Sequence, residues 1–202
     1  MSYRLRAKGL GECINYELEK YQKNMNVHDY LKSLSVDEIK ENYSDNSNDA
    51  AFAMSHCTGD FNLGNCIRSA NFFGFGEFFY VGGSKQYDRR STVGTHHYIP
   101  LTFIRTEEEF ISTINGKYSL VCIENNIPKY ASKIVSIYDN PFNNLKLPPV
   151  FMVGEEQLGL SDFMLDNSER IVSIPARGTV RSLNVGSCSA IVMAMYIDFS
   201  EV

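Results

Sequence analysis

The run Val150-Phe151-Met152-Val153-Gly154-Glu155-Glu156-Gln157-Leu158-Gly159-Leu160 sets four apolar residues directly before a polar loop bounded by glycines. A short apolar run ending at a turn signal predicts a strand buried on both faces. Glycine immediately after such a strand lets a ligand approach the backbone, and in open α/β sheets ligands gather at the carboxyl ends of the strands. The pattern Gly154-x-Glu156-x-x-Gly159-Leu160 therefore suits a small cofactor. Read alone, it equally describes a plain turn with a solvated glutamate.

Further apolar runs of strand length lie on either side, at Ala51 to Cys57, Phe78 to Val81, Leu120 to Glu124 and Arg170 to Ile174. Helical stretches alternate with them. One is expected from Leu63 to Phe73, and one opens at the capping sequence Thr106-Glu107-Glu108-Glu109 and stops at Gly116. A short one follows Ser161, and the last runs from about Leu183 to Asp198. This alternation predicts an α/β fold, a mostly parallel sheet flanked by helices on both faces. Residues 49–202 form this domain. Residues 1–48 read as a small helical extension, with Arg4, Arg6 and Lys8 close together and a capping box at Ser35-Val36-Asp37-Glu38. The extension closes in the polar run Tyr43 to Asp49, expected to be a linker.

Composition narrows the function. With 202 residues, 44% of them hydrophobic, the chain can bury one full core. A formal net charge of -5 argues against coating nucleic acid by bulk electrostatics and leaves room for a local basic patch. The five cysteines, Cys13, Cys57, Cys66, Cys122 and Cys188, are odd in number and contain no C-x-x-C pair, which fits free thiols in a reducing cytoplasm. Met1 to Lys20 has no apolar core of signal-peptide length, and no stretch is expected to span a membrane.

Two more blocks carry chemistry. In Asn62-Leu63-Gly64-Asn65-Cys66-Ile67-Arg68 a loop hands over to a helix, with Arg68 expected on its first or second turn. A helix N-terminus beside an arginine makes a phosphate site, whereas the plainer reading is an Asn62 cap and a surface Arg68. In Ile174-Pro175 through Ser182-Leu183-Asn184-Val185, Arg177 and Arg181 add positive charge beside polar Ser182 and Asn184. There the plainer reading is that Ser182 caps the last helix. The stretch Lys85-Gln86-Tyr87-Asp88-Arg89-Arg90 is suited to holding RNA phosphate and stacking a base, or to being a solvated loop. Other matches fail. Gly74-Phe75-Gly76 lacks a third glycine, no phosphate-binding G-x-x-x-x-G-K-S/T loop exists, and Ser187 does not sit on a nucleophile elbow. His96 and His97, adjacent on an expected strand, point to opposite faces, so no metal site is expected.

In this order and spacing the three blocks resemble the signature motifs of the SPOUT superfamily, in particular its SpoU-type branch of tRNA and rRNA ribose 2'-O-methyltransferases. The likeness runs from about Ala50 to the C-terminus. It implies a C-terminal deep trefoil knot, S-adenosyl-L-methionine as cofactor, an RNA substrate and a homodimer. It also implies cofactor contacts at Gly154, Ile174 and Leu183, with Glu124 as a further candidate. Arg68 and Asn62 would hold the target phosphate and ribose, Glu156 would organise the pocket, and Ser182 and Asn184 would position groups near the transferred methyl. Arg89, Arg90, Arg177 and Arg181 would contact RNA. The terminal helix, with Ala190, Ile191, Ala194 and Tyr196, would supply part of a dimer interface or pack in the core. The chain departs from the family pattern at Phe61 and Arg181, which flank the pocket expected to receive the RNA. The alternatives are a non-catalytic dimeric RNA-binding protein of the same fold and a SPOUT enzyme methylating a base nitrogen.

Overall fold

The apolar runs become strands whose alternate residues feed two cores. In the computed structural model, which describes residues 26–57, 60–83, 87–125, 127–155 and 158–200, β1 (Asn48–Ser55) sends Ala50, Phe52 and Met54 to one face and Ala51 and Ala53 to the other. On the first face, Phe52 meets Phe75, Phe78 and Phe151 with ring centroids 6.0–6.4 Å apart. Helices α2 (Asp60–Phe72) and α5 (Val185–Ser200) close over that face through Leu63, Ile67, Val192 and Met193. On the opposite face, α3 (Glu107–Ile114) and α4 (Asp162–Asn167) contribute Phe110, Ile114, Met164 and Leu165.

The remaining strands are β2 (Phe75–Val81), β3 (Leu101–Ile104), β4 (Ser119–Ile123), β5 (Ile134–Ser136), β6 (Pro149–Val153) and β7 (Arg170–Ser173). They form one seven-stranded sheet in the order β3-β2-β1-β6-β4-β7-β5. Every pairing is parallel, with Phe52 opposite both Phe78 and Phe151 and with Cys122 opposite both Met152 and Ile171. All carboxyl ends therefore lie along one edge. The neighbouring strands β6, β4 and β7 open there into the Gly154, Glu124 and Ile174 segments.

The expected linker is instead ordered secondary structure. Helix α1 (Val36–Asn46) opens on the capping box of Ser35 and Glu38 and runs through the polar stretch, and β1 begins two residues later. Its asparagines and serines satisfy backbone carbonyls. Asn46 donates to Asn42 O, Ser47 to Ser44 O and Asn48 to Phe73 O, while the Tyr43 hydroxyl donates to Phe75 O. Leu31 and Ile39 bury against Tyr98. At about 2 kcal/mol per buried side chain this holds a helix too polar to persist alone. Arg4, Arg6 and Lys8 lie outside the described residues.

Candidate active site

Three strand ends and the start of α5 enclose one cavity. It is lined by Glu124 and Asn125 after β4, Gly154 and Glu155 after β6, Ile174 after β7, and Ser182, Leu183, Val185 and Cys188 at the head of α5. Gly154, Ile174, Leu183 and Glu124 thus share one wall system, with Ser182 beside them.

Gly154 is required by contact. A Cβ there would lie 2.3 Å from the Gly159 carbonyl carbon, so the loop folds directly onto its own root. The Gly159 N–H closes the turn on Glu155 O at 2.9 Å. Glu156 and Gln157 at its tip lie outside the described residues.

Glu124 and Asn125 hold the two loops that flank β4. The Glu124 carboxylate accepts from Leu160 N–H at 3.0 Å with one oxygen and from Asn125 N–H at 2.8 Å with the other. The Asn125 side chain accepts from Ile174 N–H and donates to Ile174 O, both at 3.1 Å. Sequence reading missed Asn125, which stands two residues after the buried strand β4. Cys188, read from the sequence only as one of five thiols, also lines the cavity. Burial, reinforced by the Glu124 charge, pushes its thiol up to about 12, so it lines the cavity un-ionised.

Among the described residues, the cavity lining contains two carboxylates and neither arginine nor lysine. The two carboxylates favour a cofactor that carries positive charge. The apolar side chains of Ile123, Val153, Ile174, Leu183 and Val185 suit a flat heterocycle, and the carboxylates and Ser182 suit hydroxyl and ammonium groups.

Arg68 and Asn184 lie on a second cavity, between α2 and α5, with Asn65, Ser69 and Ser187. The structure corrects two expectations here. Helix α2 starts at Asp60, so Asn62 sits inside its first turn rather than capping it. Arg68 is its ninth residue, roughly 12 Å along the axis and beyond the reach of the N-terminal dipole. Helix α5 is capped by Asn184, not Ser182. Its side-chain oxygen accepts from Gly186 N–H at 2.9 Å and Ser187 N–H at 3.3 Å, and its carbonyl accepts from Cys188 N–H. The Asn184 amide nitrogen donates to Asn62 Oδ1 at 3.0 Å, joining the two helix starts.

A basic turn, Arg89–Thr92, is seated on α2. Ser91 Oγ lies 1.9 Å from where a Cβ on Gly64 would stand, so only glycine allows this approach. Arg90 lies over the half-exposed Phe61 ring at 5.5 Å and Arg89 over Tyr87 at 5.8 Å. Asp88 accepts from the Arg90 side chain and backbone, which holds its carboxyl down at about 2. Arg177 and Arg181 are exposed on the 175–184 loop. His96 and His97 occupy a 3-10 turn rather than a strand, with ring centroids 4.0 Å apart. His96 engages Thr92 Oγ1 through Nδ1. Among the described residues no cluster of ligands could hold a metal.

An open parallel α/β protein with a carboxylate-bearing pocket at its strand ends, next to an arginine carried on a helix, is the class that fold and site define. More particularly, the chain belongs to the SpoU rRNA Methylase family, whose model matches residues 49–194. No curated protein sequence matches the chain. Among solved structures it is similar to an AdoMet-bound rRNA methyltransferase from Sinorhizobium meliloti, with a TM-score of 0.64 and 22% identity over 76% of this chain and 58% of that one. It is also similar to the A. aeolicus TrmH/SpoU tRNA modifying enzyme, with a TM-score of 0.69 and 17% identity over 82% of each chain. An RNA 2'-O ribose methyltransferase matches with a TM-score of 0.65 and 24% identity over 77% of this chain and 58% of that one. The chain thus spans under three fifths of the first and third of these structures.

Proposed function

We propose that the protein is an S-adenosyl-L-methionine-dependent RNA methyltransferase acting on a ribose 2'-hydroxyl of tRNA or rRNA. The observation that carries this reading is the cavity at the ends of β4, β6 and β7. Its two carboxylates and absence of basic side chains among the described residues fit a sulfonium-bearing nucleoside cofactor. Family membership and the similarity to an AdoMet-bound rRNA methyltransferase and to an RNA 2'-O ribose methyltransferase support the same reading.

When bound, the cofactor supplies an electrophilic methyl group. The chain's own residues then hold and aim. The Gly154 and Ile174 segments, fixed by Glu124 and Asn125, form the cofactor wall, and Leu183 closes it. Arg68 anchors the target phosphate as a permanent cation, a role that suits a guanidinium better than proton abstraction. Asn62 and Asn184 fix the ribose side, and Ser182 faces the cavity. Bound at this wall, the cofactor would present its methyl group to the ribose hydroxyl that these residues hold, and their orientation of the two would supply much of the rate. Glu156 organises the pocket in this reading, and Arg89, Arg90, Arg177 and Arg181 steer RNA.

The working form is a homodimer in the cytoplasm, with the knot typical of the family. Helix α5 supports the dimer. It carries one charged residue in sixteen and exposes Ile191 and Ala194, whereas Tyr196 turns inward against Phe75, Phe142 and Phe151. Free thiols at Cys122 and Cys188 support the compartment, and no helix among the described residues is long and apolar enough to cross a membrane.

The test is calorimetric titration with S-adenosylmethionine and S-adenosylhomocysteine, followed by methylation of unmodified tRNA and rRNA. Saturable one-site binding and a product resistant to alkaline cleavage at the modified nucleotide are expected, because a 2'-O-methyl removes the attacking hydroxyl. A cleavable methylated product would indicate base methylation. No binding to either compound by folded protein would leave an RNA-binding platform.

A further inference from the structure

Beside α2, the 26–46 segment forms a groove of about 620 Å³, within the range of pockets that take small molecules. Its walls have a specific chemistry. His28 and Tyr30 stack nearly parallel, with centroids 5.7 Å apart and planes 13° apart, and Tyr30 is 69% exposed. Helix α1 turns Ile39, Asn42, Tyr43 and Asn46 toward the groove at helical spacing, while its acidic residues Asp37, Glu38, Glu41 and Asp45 are absent from the lining. An acidic helix on an acidic protein thus presents amides here. Arg68 supplies positive charge to the lining, and no carboxylate among the described residues opposes it.

Arg68 also lines the α2–α5 cavity with Asn184. The groove and the α2–α5 cavity therefore share two lining residues, Arg68 and Phe72. Exposed aromatic faces, side-chain amides and one cation make up the chemistry that takes an unpaired base, stacking its face and bonding its edge.

We propose that this groove is a second RNA subsite, in which His28 and Tyr30 stack an unpaired nucleotide next to the target, with Arg68 holding the phosphate between the two. The proposal rests on the RNA-directed reading above and adds a place for the flanking nucleotide. A nucleotide is favoured over a second protein copy because the groove sets Arg68 and the amides of Asn42, Asn46 and Asn71 beside the exposed rings of Tyr30 and Phe72.

The experiment uses the full-length protein and a labelled single-stranded oligouridylate of about ten nucleotides, a length within the usual single-strand site sizes. Anisotropy titration at fixed salt compares wild type with Tyr30→Phe, Tyr30→Ala and the double variant His28→Ala/Tyr30→Ala. Loss of stacking is expected to weaken binding about ten-fold or more in the double variant, with Tyr30→Phe close to wild type. S-adenosylmethionine affinity and thermal stability should not change, and ultraviolet cross-linking should place an adduct on residues 28–30.

Equal affinity of all four proteins, or wild-type failure to bind the oligouridylate, overturns the proposal. So does a double variant that dissociates an oligomer while keeping its RNA affinity, which would make the groove an interface between copies. If wild type methylates RNA and the variants bind it equally well, the groove role alone falls. If wild type binds no cofactor but cross-links through Tyr30, methyl transfer falls and the subsite stands.

Discussion

At Asn184 a single amide closes the first turn of α5 with its oxygen and reaches Asn62 across 122 residues of sequence with its nitrogen. Replacing it with alanine removes both contacts. Asn184→Ala is expected to cost about 1 kcal/mol in thermal stability, the usual worth of an N-cap, and to reduce turnover. Asn184→Asp keeps the cap acceptor and loses the donor, so unfolding curves should recover while single-turnover transfer stays low. Arg68 stands outside the cofactor cavity. Arg68→Ala should therefore abolish methyl transfer and leave calorimetric cofactor affinity intact, and parallel loss of both would refute the phosphate role.

Among the elements, β4 has a structural duty that its hydrophobic pattern does not announce. The two residues after it tie the loop of β6 and the loop of β7 to a common post. Asn125→Leu leaves the Ile174 N–H and carbonyl without this partner, and each unpaired group costs about 1–3 kcal/mol when buried. Cofactor affinity should fall by roughly ten-fold or more on that scale, with little change in the rate at saturation, as read by initial velocities over a cofactor series. The five central strands were legible because they are buried on both faces and read as continuous apolar runs. Strands β3 and β5 were not. They are the two edges of the sheet, three or four residues long and half-buried, so neither run length nor alternation marks them. The α2 start and the true cap of α5 escaped for a related reason. Several capping residues stand within three positions of each other, and tertiary contacts choose among them. The glycine loop was readable from the sequence, whereas the Asn125 pairing, made across 49 residues, had no local signal.

For the whole molecule, acid sensitivity has an identifiable source. Burial, and then the charges of His97 and Arg89, push the His96 imidazole from its ordinary 6.5 to about 4. Between those values the unfolded chain takes up a proton that the folded chain refuses. The stabilisation is complete above pH 6.5 and is lost as pH falls toward 4. Melting temperature should decline across that interval, and His96→Gln should flatten the decline. Asp88, held from 3.8 down to about 2 by Arg90, acts only in the more acidic range. Truncation through Asn46 would uncover Tyr98 and leave Phe75 O without the Tyr43 hydroxyl. It is expected to lower the melting temperature by several degrees, as a loss of about 2 kcal/mol or more would.

The strand order also divides the sheet by sequence. Strands β1 to β3 lie on one side and β4 to β7 on the other, meeting only where β1 pairs with β6. The arginine and Asn62 belong to the early half, and the cofactor cavity belongs to the late one. During synthesis, which proceeds from the N-terminus, Asn62 is made long before Asn184. A ribosome-bound chain can therefore display the arginine-bearing helix well before it can hold the nitrogen that completes the junction. The order of synthesis thus sets the order in which the two halves of the site can meet, and the junction closes only when the last helix has been made.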